Sequence, residues 1–326
     1  MNEAGEGSIL IGQRNITLPG GLSEQARQLF ITAPQLPAPA YPPLEDVAAW
    51  KHHIAEFDAA FIPLLEGLSA NIRADIRRET VSGIPVFRAT PHNRDSSKAG
   101  RVILYAHGGA LIYLSGEGVA PYARLECERA GCEVVAVDYR MPPEHPYPAG
   151  LDDMLAVYRG LLPDYRNDQI AIVGLSAGSN LAAATALRIR DEGLPPPAAV
   201  VLFTPELDLT ETGDSFQVLL GLDLVLRSRL MPVNRLYADG ADLRDPYLSP
   251  IFADFSTGFP PTFLQSGTRD LFLSNAVRMH RALCHQDIEC EIHLWDGMPH
   301  GGFGGASPED EEVSRLYRNF LNKYLE

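Results

Sequence analysis

The sequence predicts an α/β fold: a mostly parallel central sheet flanked by helices, with a helical cap. Three observations predict it. From about residue 100 onward, short β-branched apolar runs alternate with longer helix-forming stretches, the pattern of strand and helix units packed in layers. One junction reads Gly174-Leu175-Ser176-Ala177-Gly178, between the apolar run 169–173 and the alanine-rich run 180–190. The rhythm breaks once, over residues 209–240, where an insertion capping the sheet is expected.

The elements follow in order. Residues 1–70 look separate from the main core. A helix opened by Ser23 is expected over residues 23–30. A proline-rich link, residues 34–43, leads to an amphipathic stretch over 44–62 that Pro63 closes or kinks. His52 and His53 lie on that stretch, where a solvent-facing or cap-packing role is expected. Alternating residues over 72–87, parted by Ser82-Gly83, read as a β-hairpin. The polar loop 91–100 is expected to be exposed. A buried strand over 102–106 ends in His107-Gly108-Gly109-Ala110. A helix over 122–130 stops at Gly131, and a strand spans 133–137. The proline-laden loop 138–149 precedes a helix over 151–161. After the 174–178 junction come a strand over 198–203 and the insertion, with short apolar helices expected at 216–220 and 223–226. A strand (262–265), a helix (275–285), a strand (289–294) and a terminal helix (308–324) complete the chain. The implied division is 1–70 as the N-terminal part of the cap, 71–208 with 241–326 as the main domain, and 209–240 as the cap insertion.

The totals bound the function. The 326 residues are 45% hydrophobic and 21% charged, ordinary for a soluble globular protein. A net charge of −15 argues against nucleic-acid binding and against docking on anionic membranes. No apolar run reaches the length of a membrane span, and residues 1–12 lack the basic and apolar regions of a signal peptide. Cys127, Cys132, Cys284 and Cys290 show no metal spacing and are read as reduced, partly buried thiols of a cytoplasmic protein.

The 174–178 junction carries the chemistry. A glycine-flanked serine on a sharp turn between strand and helix is the setting of an activated nucleophile. It puts Ser176 above the sheet edge and the Ala177 N–H at a helix N-terminus, which favours negative charge. An acyl-transfer site also needs a base, an acid to orient it, and donors for an oxyanion. His300 lies on a glycine-flanked loop after the strand 289–294. Asp270 follows the strand 262–265 by a short loop. Asp208 and Asp296 are alternative acids, one after the preceding strand and one four residues before His300. The second set of donors would come from Gly108, Gly109 and Ala110, with His107 as a positioning residue.

These stretches resemble the hormone-sensitive-lipase-like (bacterial family IV) carboxylesterases of the α/β-hydrolase superfamily. The matching segments are His107-Gly108-Gly109, residues 138–153, Gly174 to Gly178, Asp245-Pro246-Tyr247-Leu248-Ser249-Pro250, Gly267-Thr268-Arg269-Asp270 and His300-Gly301-Gly302-Phe303, in family order. The resemblance implies Ser176, Asp270 and His300 as a triad, Gly109, Ala110 and Ala177 as oxyanion donors, a cap from the N-terminal helices and the insertion, and a homodimer. Three positions depart from the pattern: Ala110 for a glycine, Leu175 for an acidic residue, and Ser179 for a glycine. The expected activity is hydrolysis of short-to-medium acyl esters without metal or organic cofactor. A lactone hydrolase, an amidase or peptidase on the same triad, and a non-catalytic ligand-binding scaffold are the alternatives.

Overall fold

The computed structural model describes residues 15–33, 38–92 and 100–326. The expectations for residues 1–12, and for parts of the proline link and of the loop 91–100, lie outside the described residues.

Eight strands form one sheet: β1 (Ala74–Val81), β2 (Ile84–Pro91), β3 (Val102–Ala106), β4 (Glu133–Val137), β5 (Ile170–Leu175), β6 (Ala199–Phe203), β7 (Thr262–Gly267) and β8 (Cys290–Trp295). Their spatial order is β1-β2-β4-β3-β5-β6-β7-β8. β1 pairs antiparallel with β2, and β2 with β4; every other neighbour is parallel. Strands β3, β4 and β6 are buried along their whole length, as strands covered on both faces must be. Two apolar clusters result. One holds Ile103, Tyr105, Val134 and Val201, the other Leu104, Val135, Ile172 and Leu202: alternate residues of the same strands, pointing to opposite faces.

The helices among the described residues are α1 (Glu24–Thr32), α2 (Val47–Ser69), α3 (Val119–Ala130), α4 (Ala149–Leu161), α5 (Ala177–Asp191), α6 (Ser215–Val218), α7 (Met231–Ala238), α8 (Leu273–Cys284) and α9 (Pro308–Tyr324). Ser23 caps α1 by accepting the Ala26 N–H. Ser307 and Asp310 cap α9 reciprocally, and Gly131 ends α3 in the left-handed conformation. The Ser82-Gly83 hairpin turn has positive φ at both residues, as a tight two-residue turn requires.

Three expectations need correction. Pro63 does not close α2, which continues to Ser69. Ala59, the residue whose carbonyl the missing N–H would have met, is solvent-exposed, so water can take its place. Residues 223–226 form no helix. The Asp223 carboxylate instead accepts the N–H groups of Val225 and Leu226, a local bond that competes with helix. The N-terminal helices are also not apart from the core: Trp50 and Leu65 of α2 belong to the same buried cluster as Phe87, Ile103 and Tyr105. No helix among the described residues is long and apolar enough to cross a membrane. The four cysteines form no disulfide among the described residues; two are buried and two half-buried.

Candidate active site

The carboxyl ends of β3, β5, β6, β7 and β8 share one edge of the sheet, where ligands of open α/β sheets bind. Ser176 stands there between β5 and α5 with φ 58° and ψ −122°, a strained conformation for a residue with a side chain. The turn is so tight that a Cβ on Gly174 would overlap the carbonyl of Gly178, and one on Gly178 the carbonyl of Ala106. Ser176 N–H still donates to the Phe203 carbonyl at 2.8 Å, extending the β5–β6 ladder by one residue. Ser179, which replaces a small residue of the family pattern, braces the turn. Its hydroxyl donates to the carbonyls of Gly174 (2.8 Å) and Phe203 (3.0 Å).

Three side chains meet in a row. His300 Nε2 lies 2.8 Å from Ser176 Oγ, and His300 Nδ1 lies 3.0 Å from Asp270 Oδ1. With the proton on Nδ1 donated to the carboxylate, Nε2 is free to accept from the serine hydroxyl. Asp270 is fully buried and held from two further directions: Phe272 N–H donates to Oδ1 at 2.9 Å, and Ser266 Oγ donates to Oδ2 at 2.7 Å. Asp208 and Asp296 do not reach His300. Asp208 is bound by Thr210, Thr212 and Arg278. Asp296 is exposed and accepts a 3.3 Å bond from Thr268 Oγ1.

Burial opposes a charged His300, but the Asp270 carboxylate, with smaller contributions from the acidic side chains of Asp223 and Glu206, outweighs it and holds its pKa above the ordinary value. Two of these carboxylates had no sequence signal strong enough to select them. Asp223 lies in the insertion, 77 residues from His300. Its oxygens accept the N–H groups of Leu271 (2.8 Å), Val225 (2.9 Å) and, more weakly, His300 (3.4 Å). Burial, reinforced by Asp270, pushes its pKa up to about 6. Glu206 follows β6 at the active edge, a position that could have flagged it. It is buried, its Oε2 has no hydrogen-bond partner among the described residues, and burial beside Glu211 pushes its pKa up to about 8. Asp223, Asp270 and His300 offer ligand atoms within 4.8 Å of one another. Their oxygens and Nδ1 are already directed at N–H and O–H partners, so this donor set orients an imidazole better than it would hold a cation.

The β3 loop flanks the serine. A Cβ on Gly108 would sit 3.3 Å from the Leu175 carbonyl oxygen and 3.4 Å from Ser176 Cβ, so the Gly108 backbone lies close against the nucleophile turn. Gly109 has φ 129°, and a Cβ there would lie 2.5 Å from the Tyr113 carbonyl. Ala110 adopts φ 51°, the left-handed region that its family counterpart, glycine, enters more freely. Ala177 is the first residue of α5, where N–H groups have no acceptor within the helix. His107 is buried; its ring Nδ1 donates to the Gly108 carbonyl at 2.7 Å and stacks on Tyr139 at 4.4 Å between centroids. Burial pulls its pKa down to about 4, so it stays neutral and positions the loop.

A cavity of about 1620 Å³ opens onto Ser176 and His300. Phe57, Phe61 and Leu65 of α2 and Leu224 and Leu226 of the insertion line it. Phe216 of the insertion is fully buried against Phe272. His52 is exposed. His53 packs as expected, bonded to the Tyr113 hydroxyl at 2.8 Å, and also lines the cavity.

Residues 103–303 match the family model described as alpha/beta hydrolase fold, and the chain belongs to that family. Its relatives carry related names. It is 32% identical over 209 residues to the acetyl-hydrolase of Streptomyces hygroscopicus, covering 64% of this chain and 70% of the relative. It is 31% identical over 205 residues to an esterase of Acinetobacter venetianus, covering 62% and 67%. Among solved structures, an esterase at 30% identity superposes with TM-score 0.91 over 98% of this chain and 99% of its own. An esterase from the bacterial hormone-sensitive lipase family, at 27% identity, gives 0.79 over 93% and 99%. The resemblance read from the motifs is therefore met by the structural neighbours.

Proposed function

We propose that this protein is a serine carboxylesterase that hydrolyses short-to-medium acyl esters through an acyl-enzyme. The observation that carries the reading is the hydrogen-bonded row Ser176–His300–Asp270 at 2.8 and 3.0 Å. The esterase and acetyl-hydrolase relatives support ester substrates.

In this reading His300 Nε2 takes the hydroxyl proton as Ser176 Oγ bonds to the ester carbonyl carbon. The carbonyl electrons move onto oxygen, and N–H groups of Gly109, Ala110 and Ala177, with Gly108 shaping the loop, stabilise that charge. The bond to the alcohol oxygen breaks, and His300 gives the alcohol its proton. Water then repeats the sequence at the acyl carbon and returns the proton to Ser176. Asp270 orients His300 and, with Asp223, stabilises the imidazolium. Residues 1–70 and 209–240 act as the cap, and 71–208 with 241–326 as the catalytic domain. The apolar side chains over Ser176 limit the acyl length and keep bulk water away.

The test is covalent labelling. A fluorophosphonate should add once per chain, at Ser176, and not to Ser176→Ala. A panel of nitrophenyl esters, lactones and anilides should show fastest turnover on short and medium esters. Full ester turnover in folded Ser176→Ala would overturn the reading.

A further inference from the structure

The cavity does not end at the serine. Phe203, Gln265, Met298, Leu125 of α3, Arg129 and Arg318 line it as well. Phe203 links Ser176 to Arg129. Its carbonyl accepts the Ser176 N–H at 2.8 Å, so its backbone lies directly beside the nucleophile. The Arg129 guanidinium lies over that ring, its Cζ 4.6 Å from the centroid. Backbone to ring and ring to guanidinium together put Arg129 at most about 10 Å from the Phe203 backbone, within the reach of an acyl chain of about six carbons plus a carboxylate contact.

Arg129 is poorly paired where it stands. Its nearest carboxylate oxygen is Glu126 Oε2 at 3.8 Å, beyond hydrogen-bond length. Glu126 Oε2 itself has no hydrogen-bond partner among the described residues, and Tyr317 holds Oε1 at 2.6 Å. Burial pushes the Glu126 carboxyl up, while the Arg129 charge and the Tyr317 hydroxyl pull it the other way. Arg318 reinforces the positive end: its guanidinium donates to the Arg129 carbonyl at 3.1 Å. Glu128, on the same wall, is exposed and screened by water. A guanidinium stacked on a ring keeps its edge donors, the geometry that binds a carboxylate in bidentate fashion. A neutral alkyl chain gains nothing from it.

We propose that this arm of the cavity selects acyl groups with an anionic far end, and that the preferred substrates include half-esters of linear dicarboxylic acids. The proposal rests on the serine esterase reading. Ser176 Oγ bonds to the ester carbonyl, the alcohol leaves with the serine's proton, and Arg129 holds the distant carboxylate throughout. Water then cleaves the acyl-enzyme, returns a proton to Ser176, and frees the dicarboxylic acid, whose new carboxyl releases one proton to solvent. Arg129 is thus a specificity residue, distant from the reacting atoms.

The experiment compares monomethyl adipate with methyl hexanoate, equal in carbon count, by pH-stat. Arg129→Gln should lower kcat/KM for the half-ester about 10- to 100-fold, mainly through KM, and leave methyl hexanoate within about twofold. Arg129→Lys should recover part of the loss. Arg129→Met, which keeps the stem over Phe203, should match Arg129→Gln if only charge is missing. Equal losses on both esters in all three variants would mean a structural role and overturn the proposal. So would a half-ester rate unchanged by Arg129→Gln. Calorimetry separates the two readings. The wild type should bind adipate more tightly than hexanoate, and Arg129→Gln should lose that difference, whether or not any ester turns over. Equal binding of the two acids by the wild type would overturn the anionic arm, while absence of turnover on every ester would overturn the esterase reading.

Discussion

Replacing Asp270 with asparagine isolates its charge, because its partners fix the orientation of the new amide. Phe272 N–H donates to Oδ1, the same atom that faces His300 Nδ1, so an oxygen must stay at that position. The amide nitrogen then falls at the Oδ2 position against Ser266 Oγ, a hydroxyl that can turn and accept. The imidazole keeps its tautomer and loses the negative charge beside it. At the 3.0 Å separation, a unit charge pair in an effective dielectric of about 20 is worth about 5 kcal/mol, a ceiling near 10⁴ in rate. Asp223 still faces the ring and keeps part of the stabilisation, so a loss of about 10³ in kcat/KM is expected. The assay is nitrophenyl butyrate hydrolysis across pH for the wild type, Asp270→Asn, Asp208→Asn and Asp296→Asn. The general base must be neutral, so activity falls as pH drops through the His300 pKa. That pKa is raised in the wild type by Asp270, hence the acid limb of Asp270→Asn should move to lower pH. An Asp270→Asn variant within tenfold of wild type, or a greater loss in Asp208→Asn or Asp296→Asn, would refute the assignment.

Two more outcomes follow from the same residues. Ser176→Gly should raise thermal stability while removing esterase activity. Relief of the φ 58° strain, about 1–3 kcal/mol, exceeds the added chain entropy of glycine, about 0.5–1 kcal/mol, and a calorimetric Tm below wild type would contradict this. Glu206 should make the wild type less stable as pH rises. Its pKa is about 8 in the fold against an ordinary value of 4.5, so the native state holds a proton that the unfolded chain gives up. Its contribution is full below about 4.5 and declines toward 8, by about 1.4 kcal/mol per pH unit within that window. Glu206→Gln has no proton to lose, and urea unfolding at pH 5 and pH 8 should show a flatter decline than wild type; parallel slopes would count against a neutral buried Glu206.

The sequence by itself determined what local sterics and periodicity govern. The glycines at 174 and 178 announce the elbow because no Cβ fits there, and the structure puts Ala106 and Gly178 backbone in the space a side chain would need. Strands β3 and β4 and helix α9 match their expected limits because short runs containing β-branched residues and a serine cap are signals within a few residues. His300 was legible from chain order and its glycine-flanked loop, and it meets Ser176.

Only the tertiary structure decided which carboxylates surround it. Asp208 and Asp270 both follow sheet strands, and the local sequence favours Asp270 without excluding Asp208. Arg278 captures the first from 70 residues away, while β8 brings His300 to the second across 30 residues. Asp223 sits in an apolar stretch that reads as helix until its carboxylate is seen collecting N–H groups from Leu271 and His300. The Arg129 end of the cavity depends on α3, β6 and α9 converging. Periodicity records which face of an element is apolar; it does not record which distant side chain arrives to meet it, and both electrostatics and cavity shape are made by those arrivals.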